Sequence, residues 1–100
     1  MTNYTNGRAM EYLARNALTA DGYTVLRAAG SKGPVDLIAW NNGGARFIQV
    51  KKGRGAIRPA ERAKLRALTI PPASTVELWT RVSGKWKVEF LVNTHEQVNP

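Results

Sequence analysis

Apolar residues recur at helical spacing early in the chain. Met10, Leu13, Ala14, Ala17 and Leu18 form one stripe, which predicts an amphipathic helix over residues 7–20. Arg8, Glu11 and Arg15 share a different side of that helix, three and four residues apart. Asp21-Gly22 ends it, because glycine takes the left-handed cap conformation without a Cβ clash. The period then shortens to strand alternation. Residues 23–27 and 35–40 read as strands, and 46–51 as the partner of the second across a turn at 41–44. Pro59 suits the first turn of a second helix reaching residue 68, which Ile70-Pro71-Pro72 stops. Residues 76–81 and 86–92 form a last hairpin around Ser83-Gly84. The order is α-β-β-β-α-β-β, an α/β arrangement in which a mixed sheet is flanked by helices. No repeat or linker divides it, so residues 1–100 are read as a single domain.

Trp86, Val88, Phe90 and Val92 alternate along the last strand, and the pattern places Val76, Leu78 and Thr80 against them. Two helices leave part of so much apolar surface uncovered, which marks it as a subunit contact. Trp40, Trp79 and Trp86 are read as core or interface rather than as platforms for stacked bases.

Charge changes the picture. Fifteen Lys and Arg stand against seven Asp and Glu, a net charge of +8, which points to a polyanionic partner. Nucleic acid fits better than a membrane, since no stretch approaches the ~18 apolar residues of a spanning helix. The opening residues are polar and carry no signal-peptide pattern, so an intracellular protein is expected. There are no cysteines, which excludes disulfides and thiolate zinc sites. His95, the single histidine, lies among polar residues and reads as solvated surface.

The candidate chemistry lies in Pro34-Val35-Asp36 and, after the twelve residues 37–48, Gln49-Val50-Lys51. Side chains alternate along a strand, so Gln49 and Lys51 leave the same face. The tight turn brings Asp36 across the hairpin from them. Three polar groups converge at one sheet end, the arrangement that phosphodiester hydrolysis requires. Asp36 offers a charged oxygen to a hard cation, and the Gln49 side chain and Val50 carbonyl offer neutral ones. Lys51 is placed to orient a hydroxide or stabilise phosphate charge. Glu11 can reach in from the first helix.

Gly7-Arg8 with Glu11, then Tyr23-Thr24-Val25-Leu26-Arg27, Gly30-Ser31-Lys32, Val35-Asp36-Leu37-Ile38-Ala39 and Ile48-Gln49-Val50-Lys51, resemble in order and spacing the motifs of the archaeal-type Holliday junction resolvases, PD-(D/E)xK nucleases. The resemblance covers the first half of the chain. It implies a restriction-endonuclease-like core, a homodimer, dependence on Mg2+ (with Mn2+ as a substitute) and paired nicks in four-way DNA junctions. Glu11, Asp36 and Lys51 take the family's catalytic positions, while Arg8, Arg27 and Ser31 match positions tied to substrate contact or catalysis. Gln49 departs from the pattern, because the family has an acidic residue there. Glutamine keeps the oxygen and loses the charge.

From Lys51 to Arg66 there are seven basic residues and one acid, Glu61. Lys52 and Arg54, with Lys32 before them, fit a phosphate track, and Arg58, Arg62 and Arg66 form a stripe along the second helix. Plainer readings stand beside these. Asp36 is also a common turn residue, Lys51 also begins a basic run, and Glu11 is spaced to pair with Arg8 or Arg15. A nuclease for other branched or damaged DNA, or a non-catalytic DNA-binding protein with a decayed site, are the alternatives.

Overall fold

A two-residue loop, Asn42-Gly43, folds β2 (Leu37–Asn41) onto β3 (Gly44–Lys52). Asn41 pairs with Gly44 and Leu37 with Ile48 in antiparallel register. Asn41 Oδ1 accepts the Gly43 N–H at 2.7 Å and closes the turn. Gly44 is required here for two reasons. Its φ is +142°, and a Cβ at that position would lie 1.8 Å from the Ala73 carbonyl oxygen.

The computed structural model describes residues 3–28, 34–53 and 57–95, with side chains from Arg8 onward. Around the central hairpin stand α1 (Asn3–Ala20), β1 (Thr24–Arg27), α2 (Pro59–Arg66), β4 (Ser74–Val82) and β5 (Lys85–Asn93). The five strands lie in the order β1-β2-β3-β4-β5. β3 and β4 are parallel and every other neighbouring pair is antiparallel, so the sheet is mixed. The parallel pair needs a crossover, and α2 lies within it.

Each helix covers one face. On the α1 face, Ala14 and Leu18 pack with Leu37, Ala39, Ile48, Val50 and Trp79. On the α2 face, Ile57 and Leu65 pack with Val76, Leu78 and Leu91. Leu18, Leu37, Ile48 and Leu65 are almost completely buried, and each such side chain contributes roughly 1.5–3 kcal/mol. β3 and β4 are covered on both sides, so Ile48 and Val50 face α1 while Val76 and Leu78 face α2.

The predicted element order holds, with shifted ends. α1 starts at Asn3, about one turn before the predicted start at residue 7, since an established helix propagates without further apolar contacts. Its end follows the prediction: Gly22 has φ +93°, and the Tyr23 N–H donates to the Leu18 carbonyl at 3.1 Å. Ser83 and Gly84, both at positive φ, turn β4 into β5.

One packing expectation is corrected. Trp86, Val88 and Phe90 sit opposite Arg81, Trp79 and Glu77, not opposite Val76, Leu78 and Thr80. The register shifts between Val76 and Glu77, so that Val92, not Leu91, faces Val76. One extra residue in a strand reverses the alternation beyond it. Val92 therefore joins the α2-face cluster while Trp86, Val88 and Phe90 stay on the other face. Trp79 is buried with Trp86 tilted on it at 5.3 Å, whereas Trp40 is exposed.

Candidate active site

Asp36 immediately precedes β2 and is fixed to β3 by two hydrogen bonds. Its N–H donates to the Ile48 carbonyl at 2.8 Å, and its carboxylate accepts the Val50 N–H at 2.9 Å. Its own carbonyl accepts the Ala28 N–H at 2.8 Å, which ties the end of β1 to the same point. The hairpin register places Asp36 beside Gln49, because Leu37 pairs with Ile48. Burial pushes the Asp36 carboxyl above its ordinary value of 3.8, and the negative charge of Glu11 adds to the effect. The Val50 N–H, Lys51 and Arg27 act in the opposite direction without cancelling it.

Asp36, Gln49, Glu61 and Lys64 line one cleft of about 320 Å3 between the strand ends and α2. The Gln49 side chain is half-buried and makes no hydrogen bond among the described residues. Lys51 does not line the cleft, but its Nζ lies 3.6 Å from Glu61 Oε1, which does. Glu61 Oε1 also accepts the Arg58 N–H at 3.2 Å, as a glutamate in the first turn of a helix does. That N–H and the Lys51 ammonium hold the Glu61 carboxyl below its usual range.

Glu11 approaches from the other side of the sheet. Its Oε1 lies 2.6 Å from Arg27 Nε, a pairing across sixteen positions of sequence. Glu11 and Arg27 line a second cleft with Arg8 and Arg15, of about 420 Å3. Glu11 thus acts on Asp36 through its field and does not share the Asp36 cleft.

The basic stripe on α2 divides. Arg58 is exposed at the start of the helix. Arg62 pairs with Glu89 of β5 at 2.6 Å, and Arg66 Nη1 donates to the Leu91 carbonyl at 3.5 Å. Arg62 and Arg66, one turn apart, thus face β5, while Arg58 precedes the helix as its extended N-cap residue. Lys52 is exposed at the end of β3. Ser31, Lys32 and Arg54 lie outside the described residues.

Two features escaped the sequence pattern. Glu61 joins the Asp36 cleft, and its only signal was to be the single acid in a basic run. Glu77 is fully buried within β4, opposite Ile48 in the register, where it accepts hydrogen bonds from Arg46 Nε (2.7 Å), Arg46 Nη2 (2.8 Å), Trp79 Nε1 (2.7 Å) and the Thr75 hydroxyl. Its hydrogen bonds to Arg46 raise the Arg46 pKa further. The Arg46 guanidinium also lies over the rings of Tyr23 and Trp79, at 5.1 and 5.5 Å.

The fold is similar to that of an archaeal Holliday junction resolvase. The match is to the structure of Hjc from the hyperthermophile Archaeoglobus fulgidus, with a TM-score of 0.67 and 20% sequence identity, over 86% of this chain and 73% of that one. No family model matches the sequence, and no curated protein resembles it closely enough to match. At this identity the likeness defines the fold alone, a five-stranded mixed sheet flanked by helices. No helix among the described residues is long and apolar enough to cross a membrane.

Proposed function

We propose that this chain is a divalent-metal-dependent DNA endonuclease of the PD-(D/E)xK kind that resolves four-way junctions by paired phosphodiester hydrolysis. The observation that carries the reading is the Asp36 carboxylate pinned at 2.9 Å to the Val50 N–H, beside Gln49 and next to Lys51, on a resolvase-like fold.

The donor set fits a hard cation. Asp36 and Gln49 present oxygens to one cleft, and the Gln49 amide has no other partner among the described residues. A carboxylate disfavoured by burial and by a neighbouring negative charge gains when a cation shares its site. Asp36 and Gln49, with the Val50 carbonyl, would hold Mg2+, and Mn2+ would substitute. A bound divalent ion supplies Lewis acidity toward the phosphate and a hydroxide near neutral pH.

The chain's own groups do the remaining work. Asp36 is prepositioned by its hydrogen bond to β3, so its carboxylate needs no reorganisation. Lys51 contributes an ammonium to the developing phosphate charge, moving from Glu61 to do so. Arg27 and Glu11 tune the field at Asp36 from the far side of the sheet. The net charge of +8 supports DNA as partner, with Arg8, Arg27, Lys32, Lys52, Arg54 and Arg58 as backbone contacts. Backbone contacts read shape, which suits a junction. Symmetric cleavage needs two such sites, and exposed Val88 and Phe90 on β5 offer an apolar contact for a homodimer. The expected location is intracellular, with the DNA.

The test compares a synthetic four-way junction with duplex, flap and single-stranded DNA at fixed salt, with and without Mg2+. The proposal expects metal-dependent paired nicks near the branch point of the junction. Equal cutting of flaps or duplex would instead indicate a broader branched-DNA nuclease. Tight junction binding without cleavage at any metal concentration would indicate a DNA-binding protein whose site has lost function at Gln49.

A further inference from the structure

Glu61 is the one acid between Lys51 and Arg66, in a stretch with seven basic residues. It sits on the first turn of α2 and lines the Asp36–Gln49 cleft from the helix side. Building on the nuclease reading above, we propose that Glu61 supplies the second negative charge of the cation site, the charge that Gln49 does not carry.

Asp36 alone gives a divalent ion one charged oxygen in this cleft, and Gln49 adds a neutral one. Hard cations are held more tightly as the number of charged oxygen ligands rises. Glu61 brings a second carboxylate to the same cleft from a different element. Its Oε1 meets the Arg58 N–H at 3.2 Å and the Lys51 ammonium at 3.6 Å, and neither contact uses Oε2. The Lys51–Glu61 separation of 3.6 Å, with both side chains partly exposed, is a loose pair that contributes little to folding. Turning the Glu61 carboxylate toward a cation therefore sacrifices little, and it releases the Lys51 ammonium toward the phosphate. One residue then links metal loading to freeing of the lysine.

The plain alternative is that Glu61 only caps α2 and tethers Lys51. Glu61→Gln separates the two, because glutamine serves as a first-turn cap equally well and retains the side-chain shape. Only the charge is lost.

The experiment is calorimetric titration of Mn2+ into the full chain without DNA, for the parent, Glu61→Gln, Gln49→Glu, the Gln49→Glu/Glu61→Gln double variant, and Asp36→Asn. The proposal expects Glu61→Gln to weaken Mn2+ by about tenfold or more and the double variant to return to within about threefold of the parent. Parent-like affinity in Glu61→Gln overturns it, leaving the residue a cap and tether. Weakened binding that the double variant does not restore also overturns it, since charge is what is claimed. Asp36→Asn keeps this separate from the nuclease reading. If Asp36→Asn loses Mn2+ while Glu61→Gln keeps it, only the assignment of Glu61 fails. If Asp36→Asn binds like the parent, the ion lies elsewhere and both fail.

Discussion

The Val50 N–H donates to the Asp36 carboxylate at 2.9 Å, so the residue that precedes β2 is held by the strand that follows the hairpin. This bond stabilises the ionised form of Asp36, yet burial and Glu11 outweigh it and leave the carboxyl above its ordinary value.

That balance sets a pH dependence. With the folded value raised, the folded chain holds the Asp36 proton more tightly than the unfolded chain does. The stability so gained is fully present below the ordinary value of 3.8 and is lost as pH rises through the raised folded value. At neutral pH the ionised group is therefore a net cost. Asp36→Asn keeps an oxygen for the Val50 N–H and removes the charge. In metal-free buffer at neutral pH it should melt at or slightly above the parent temperature, by a few degrees at most because the group is partly solvated. The difference should vanish near about pH 3. A clear drop in melting temperature at neutral pH would show that Asp36 is kept for the fold.

Arg46→Met leaves the fully buried Glu77 carboxylate without its cation, though the Thr75 and Trp79 donors remain. The expected loss is about 3–5 kcal/mol in urea unfolding, the range for breaking a buried pair from one side. A loss below about 1 kcal/mol would mean that the remaining donors and entering water satisfy Glu77 without Arg46.

The sequence made the sheet legible because its signals were local. Asn42-Gly43 and Ser83-Gly84 fixed both hairpins, and Pro59 and Pro71-Pro72 bracketed α2. Asp36 and Gln49 came together for the same reason, since one tight turn sets the register between them. What alternation could not show was the extra residue at Leu91, because a bulge leaves the apolar pattern of β5 unchanged while moving Val92 to the other face. The Glu11–Arg27 and Lys51–Glu61 pairs were illegible for a different reason. Each joins a helix to a strand, and spacing along one element says nothing about which neighbour lies across the gap. The stripe of Arg58, Arg62 and Arg66 came from four-residue spacing, but only packing reveals that Arg62 meets Glu89 and Arg66 meets the Leu91 carbonyl.

That packing refines the expected DNA response. Alanine at Arg58 and Lys52, both exposed, should flatten the slope of log affinity against log salt by roughly 0.9 for each duplex-arm phosphate deprived of its cation. Arg62→Ala should change the slope less and reduce stability by about 0.5 kcal/mol through removal of the Glu89 pair. The opposite pattern, with Arg62 controlling the slope, would mean that the pair opens when DNA binds.

Phe90 is 56% exposed and Val88 39% exposed on the free face of β5. If this patch joins two copies, light scattering should give twice the chain mass at micromolar concentration, and Phe90→Lys should give the single-chain mass without unfolding. A monomeric parent, both free and on a junction, would contradict the dimer.

Asp36 is the centre of the proposed chemistry, and nicking of a four-way junction by Asp36→Asn tests it most directly. Melting temperature, junction affinity and Mg2+-dependent nicking rate should be measured on one preparation of the variant and of the parent. The expected result is a folded variant that binds the junction at least as tightly as the parent and nicks it roughly a thousandfold more slowly. Near-parental nicking by well-folded Asp36→Asn would contradict the active-site assignment.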